Sequence, residues 1–196
     1  MRAAAQAAAT TRGLKDERGM KESHRTPHHK KHAAVRAVPP SARAQAHGLL
    51  ARVLGERLSV DEALAKAPLV GAEADQRFAM ALLLTCLQHL GQVDALLARY
   101  LEKPLPAKRL AVSNALRLGV VQLRLLDTPP HAAVHETVSL LKKGKDAGLA
   151  GLVNAVLQKL VKDAPVLPDP THNLPLWLRR RWEDRYGAAA VALMAQ

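Results

Sequence analysis

Histidines, thiols and carboxylates are the groups through which this chain would do bond-making chemistry, and their spacing assembles no catalytic set. His131 and His135 stand four residues apart, so they share a helix face as a metal pair would. The residues between them are Ala132, Ala133 and Val134, without the internal glutamate that such a pair uses as a base. They read as polar residues in the first turns of a helix. Cys86 is the single cysteine and lies in an apolar run with no base near it in sequence, so it reads as an inert packing thiol. One cysteine also excludes a disulfide framework and a cysteine-built zinc site. Asp94 with Glu102, and Glu183 with Asp184, read as charges on solvated helix faces. The cluster His28-His29-Lys30-Lys31-His32 lies in a segment without the surrounding bonds that fix metal ligands. No phosphate loop, no G-x-G-x-x-G and no G-x-S-x-G occurs. The expectation is therefore no catalytic residue, no metal and no cofactor held by this chain.

The basic residues say more. Lys and Arg number 29 against 17 Asp and Glu, a net charge of +12 that points to a polyanion as partner. Arg36 and Arg43 fall at or before the start of a first helix, and Arg52 lies within it. Backbone N–H groups at a helix N-terminus favour phosphate oxygens, and arginines beside them add bidentate contacts. Lys108 and Arg109 stand at the N-terminal turn of the fifth helix, where the macrodipole prefers acids, an arrangement that suits a docking anion. Arg117, Lys142 and Lys143 complete the candidate polyanion-binding set. Aromatic residues make up only 3% of the chain, too few for a reader that stacks successive bases on a sheet.

Positioning these groups falls to helices. The core must be built from Leu, Ala and Val, which favours helix over an aromatic-rich sandwich. Ala42, Ala46, Leu49, Leu50, Val53, Leu54 and Leu58 recur at three- and four-residue spacings, predicting a helix over 42–57. Ser59-Val60-Asp61-Glu62 is a capping box that opens a short helix ending before Pro68. The segment 73–90, apolar from Phe78 to Leu84, is expected to be the central helix, with Gly91 breaking it before a helix over 93–101. Further helices are expected over 107–126, 131–143, 149–161 and 176–186. The expected fold is thus an all-α bundle of seven or more helices, with no period-2 strand. No apolar run is long enough to cross a membrane, and the cytoplasm is the expected location.

Residues 1–40 hold nine Lys/Arg and three acids, lack apolar periodicity and end in Pro39-Pro40, so they read as a disordered basic tail. Residues 41–164 form the expected helical domain. Pro165, Pro168 and Pro170 mark a linker, and residues 165–196 are the expected start of a following domain.

Several stretches together carry a resemblance. Thr128-Pro129-Pro130-His131-Ala132-Ala133-Val134-His135-Glu136-Thr137-Val138 is similar to a P-x-H-A-A-V-x-E-T-V signature. Gly151 to Leu157, G-L-V-N-A-V-L, is similar to G-F-V-N-A-V-L-R, and Leu116 to Leu123 to L-R-x-G-x-Y-Q-L. Ala42-Arg43 with Ala46 matches an A-R-x-x-A opening, and Pro175-Leu176-Trp177-Leu178 a P-x-W-L exit. These residues, over about 41–196, resemble the NusB-like RNA-binding domain heading the RsmB (Sun/Fmu) 16S ribosomal RNA cytosine-5 methyltransferases. The sequence departs from that pattern at Gln158, at Thr85-Cys86-Leu87-Gln88 and at Val121.

The resemblance implies a NusB-like bundle of two helical subdomains that docks ribosomal RNA. It also implies a methyltransferase domain, binding S-adenosylmethionine and absent from this sequence, which stops in a helix-forming run and so reads as truncated. His131, Glu136 and Asn154 are the signature's polar positions. Glu136 and Asn154 are expected to be buried and bonded within the molecule, tying their two helices together. The alternative reading is a stand-alone antitermination factor resembling NusB, acting with RNA and a ribosomal protein.

Overall fold

The computed structural model describes residues 39–142 and 144–195. Within them are nine α-helices and no strand: α1 (Ala42–Gly55), α2 (Val60–Lys66), α3 (Glu73–Gln88), α4 (Leu90–Ala98), α5 (Leu110–Arg124), α6 (Pro130–Ser139), α7 (Ala150–Asp163), α8 (Leu176–Tyr186) and α9 (Ala188–Met194). Residues 1–38 of the expected basic tail, Arg36 among them, lie outside the described residues. Local chemistry sets several boundaries. Ser41 Oγ accepts from Ala44 N to open α1. The capping box of α2 is complete, Glu62 accepting from Ser59 N while Ser59 Oγ accepts from Glu62 N.

The central helix is α5, not α3 as expected. Ten of its fifteen residues are buried, and it packs on α1, α3 and α4 and also on α6 and α7. Helices α1 to α4 form one packed group and α6 with α7 another, with α5 common to both. Gly119 lets α5 approach α7 closely, since a Cβ there would sit 2.6 Å from Leu157 Cδ2. The long apolar run of α3 instead leaves Leu84 at the surface. The core, spread over α1 to α7, is almost wholly aliphatic.

Two further expectations change. Gly91 does not break a helix; α3 and α4 meet at His89 with a bend of 73°, and Gly91 lies inside α4. Its missing side chain makes room for the backbone of His172, whose oxygen a Cβ would meet at 1.8 Å. Helix α6 ends at Ser139 rather than running to Lys143. Leu140, Leu141 and Lys142 bond to the carbonyls three residues earlier, and this tightening carries Leu141 into the core.

The stretch expected to be an extended linker is strapped to the body. Gln92, buried on α4, donates through Nε2 to Pro168 O, its backbone N donates to Asn173 Oδ1, and its Oε1 accepts from Asn173 Nδ2. The 3-10 turn Pro170–Asn173 thereby lies against α4.

Candidate nucleic-acid interface

Polar residues of three separate sequence stretches converge on one spot. Gln122, fully buried on α5, donates through Nε2 to Thr137 Oγ1 and to Leu118 O, both at 3.0 Å. Its Oε1 accepts from Arg43 Nε on α1. The Arg43 guanidinium also lies over the Phe78 ring, 5.0 Å from its centre. Burial lowers the Arg43 pKa from its ordinary value, while Glu136 nearby acts in the opposite direction. Arg43 is therefore a half-buried strut joining α1 to α5 and α3. Sequence reasoning passed over Gln122 and Thr137 as site residues, although both lie inside the stretches that carry the resemblance.

Two more of the candidate arginines are engaged inside the protein. Arg117 donates to both carboxylate oxygens of Asp94 at 2.7 and 2.8 Å and to Asn114 Oδ1 at 2.8 Å, and its side chain is only 16% exposed. It clamps α5 to α4. Arg109 donates through Nη1 to Asp146, whose side chain is 6% exposed. That bridge joins the 3-10 turn Ala107–Arg109 to the turn Ala147–Leu149 that leads into α7.

The Arg109–Asp146 bridge organises one end of the bundle. It brings together the N-termini of α5 and α7, neither of which has an acid in its first turn or a side-chain cap. The end of α1 reaches the same place, because Gly55 packs against Leu110. Lys108, Lys142 and Lys145 stand exposed in these connections, with no ion-pair partner among the described residues. Arg52, one turn before the end of α1, makes only a long 3.5 Å contact with Glu56, a surface pair of little strength. Cations and the N-termini of two helices on one surface make a site for the phosphates of a polyanion. Lys145 had escaped sequence reasoning, and its signal was the Lys-Gly-Lys-Asp run in which it sits. Lys143 lies outside the described residues.

Asn154 and Glu136 are not the buried, helix-tying pair expected, whereas His131 stands in the first turn of its helix as expected. Asn154 is exposed, not bonded to the α6 segment, because the buried stripe of α7 is Val153, Val156, Leu157 and Leu160 and Asn154 points one step away from it. Glu136 is half-buried, near Arg43 and beside His135 Nδ1 at 3.3 Å. His131 is exposed on the first turn of α6.

The described residues do not fit S-adenosylmethionine or a cysteine nucleophile. There is no strand-to-loop cradle, and Cys86 is fully buried, its thiol pushed up to about 12 by desolvation. No cluster of three or more His, Cys, Asp or Glu suited to a metal occurs among the described residues. No helix there is long and apolar enough to cross a membrane by itself.

Residues 40–162 match the NusB family. The ribosomal RNA small subunit methyltransferase B of Xanthomonas campestris pv. campestris is 30% identical over 166 residues, covering 84% of this chain and 38% of that protein. The protein of the same description from Thermus thermophilus is 37% identical over 139 residues, covering 69% of this chain and 33% of that one. The chain thus spans about a third of the length of these curated relatives. A solved structure of antitermination factors NusB and NusE in complex with dsRNA superposes with a TM-score of 0.53 at 26% identity, covering 62% of this chain and 94% of the matched one. A crystal structure of a plectonemic RNA supercoil contains a chain that superposes with a TM-score of 0.55, also at 26% identity, 63% of this chain against 93% of that one.

Proposed function

The chain belongs to the NusB family, and from that premise we propose that it docks ribosomal RNA through the cationic end of its bundle. The carrying observation is the Arg109–Asp146 bridge, which gathers two uncapped helix N-termini with Lys108, Lys142, Lys145 and Arg52 on one surface. Contacts of this kind position a phosphate backbone and read no bases. Arg43 and Arg117 then act indirectly, holding α1, α4 and α5 in place beneath that surface.

Similarity to the small subunit methyltransferases supports a finer reading, in which the domain presents 16S ribosomal RNA, in the cytoplasm, to an S-adenosylmethionine-dependent cytosine-5 methyltransferase. The chemistry would belong to residues other than those described above. A second reading, a stand-alone antitermination factor acting with RNA and a ribosomal protein, is favoured by the near-complete coverage of the matched chain in the structure of NusB and NusE with dsRNA. Helices α8 and α9, which lie beyond the family match, weigh toward the first.

The test is titration of a labelled 16S ribosomal RNA fragment into the intact chain and into a Lys108→Glu/Lys142→Glu variant. The expected result is affinity about tenfold weaker in the variant at low salt, with the log–log salt slope reduced by about 1.4 to 1.8, or 0.7 to 0.9 for each of the two phosphate contacts removed. Equal binding by both chains rules the bundle end out as the docking surface.

A further inference from the structure

A second cationic surface runs from beside the bundle end along α7. Between the segment Arg99–Leu105, which follows α4, and one face of α7 run two adjoining cavities of about 460 and 500 Å³. Their floor is apolar, formed by Leu101, Leu105, Leu152 and Val156, and Tyr100 forms a wall. Around them stand Arg99, Lys103, Lys159 and Lys162, all exposed and none in an ion pair among the described residues. Among the described residues, Glu102 and Asp163 are the acids lining the cleft, and Asp163 lies beside the Tyr100 hydroxyl.

We propose that this cleft is a second RNA contact, which seats single-stranded RNA with its phosphates on Arg99, Lys103, Lys159 and Lys162 and a base against Tyr100. It rests on the reading that RNA docks at the bundle end. Lys159 stands nine residues into α7, so it is about 14 Å along the helix from the end that carries Lys145. One strand leaving the bundle end along α7 meets Lys159 and then, a turn later, Lys162. Charge favours a nucleic acid as the occupant, with four unpaired cations facing two carboxylates, one of them already beside a phenol. An aromatic wall over an aliphatic floor accepts the face of any base, because stacking needs no particular hydrogen-bond pattern. The two surfaces therefore differ in kind: one holds phosphates alone, and the other holds phosphates and a base.

The experiment uses the full 196-residue chain and a fluorescein-labelled oligouridylate about a dozen nucleotides long, followed by anisotropy at several salt concentrations. Helicity and melting temperature confirm that each variant is folded; Lys159 and Lys162 are solvent-facing, so both charge reversals leave the core untouched. Lys159→Glu/Lys162→Glu is expected to bind about tenfold more weakly, with a salt slope smaller by about 1.4, two contacts at about 0.7 each on a single strand. Tyr100→Leu, which keeps the wall apolar, is expected to lose about fivefold with the slope unchanged. Parental affinity and slope in Lys159→Glu/Lys162→Glu overturn the cleft, and if Lys108→Glu/Lys142→Glu weakens binding at the same time, the bundle-end reading stands. The reverse pattern supports the cleft and removes the bundle end. A polyglutamate peptide whose binding is abolished by the cleft reversal, with oligouridylate binding intact, assigns the cleft to an acidic protein segment and overturns the proposal.

Discussion

Arg117 holds both oxygens of Asp94 and the side-chain oxygen of Asn114, so truncating it leaves a buried amide and a carboxylate without their donor. Removing one partner of a well-made, partly buried pair costs more than the pair contributes. Because Asp94 is 44% exposed, solvent softens the loss, and Arg117→Met is expected to destabilise by about 1–2 kcal/mol. Chemical denaturation measures that cost. Cys86 gives a test of the interior by pH. Its folded-state pKa is raised from 9.0 to about 12, so the unfolded chain releases the proton first and stability falls as pH rises through that window. The slope approaches about 1.4 kcal/mol per pH unit, and Cys86→Ala should lack that component when melting curves at pH 8 and pH 10 are compared. These roles were only partly legible in the sequence. Arg43, Gln122 and Thr137 stood inside recognisable stretches, but which of them would touch which depends on how three helices cross. Asn154 was misjudged because a single step of 100° around a helix separates the core from water, and the stretch G-L-V-N-A-V-L is apolar on both sides of it.

Elements are where sequence reasoning worked best and where its misses have the plainest causes. Ser59 and Glu62 form the capping box their spacing announces, and α1 through α5 and α7 begin within a few residues of where periodicity puts them. Gly91 misled because glycine has two structural uses, breaking a helix and admitting a close neighbour, and only the folded chain shows that His172 is that neighbour. The distinction makes a prediction with a definite sign. On helix propensity alone Gly91→Ala would stabilise α4 by about 0.5–1 kcal/mol. Contact with a backbone carbonyl cannot be relieved by a rotamer change, so the substitution should instead lower the melting temperature. It should also speed proteolytic cleavage within residues 164–175 as the strap lifts from α4. Gln92→Leu removes the two side-chain hydrogen bonds of the same strap, to Pro168 O and from Asn173 Nδ2, leaves the backbone bond to Asn173 Oδ1, and should reproduce the cleavage pattern without the steric clash.

For the molecule as a whole, the position of α5 governs how stability is distributed. Sequence pattern chose α3 as the centre because α3 holds the longest apolar run, but burial depends on how many neighbours a helix serves. Helix α5 serves both packed groups, and its polar residues Asn114, Arg117 and Gln122 are accommodated by partners instead of excluded. A helix shared in this way cannot come apart without opening both groups, so its amides should exchange only through global unfolding. At the other extreme, α8 has no buried residue among its eleven, and α9 buries only Val191. Exposed Trp177 and Leu193, at 67% and 72%, show how little apolar surface these two helices remove from water, and a helix of that length gains little from propensity by itself. Hydrogen–deuterium exchange on the intact chain should therefore rank α5 slowest, α1, α3 and α7 close behind, and α8 with α9 fastest by orders of magnitude. If α6 and α7 exchanged as an independent unit, well ahead of α5, the two packed groups would be separately cooperative and α5 would belong to only one of them. Protection of α6 and α7 close behind that of α5 is the outcome the packing requires, because Gly119 sets Leu157 directly against the central helix and the Gln122 side chain binds Thr137 from the same helix.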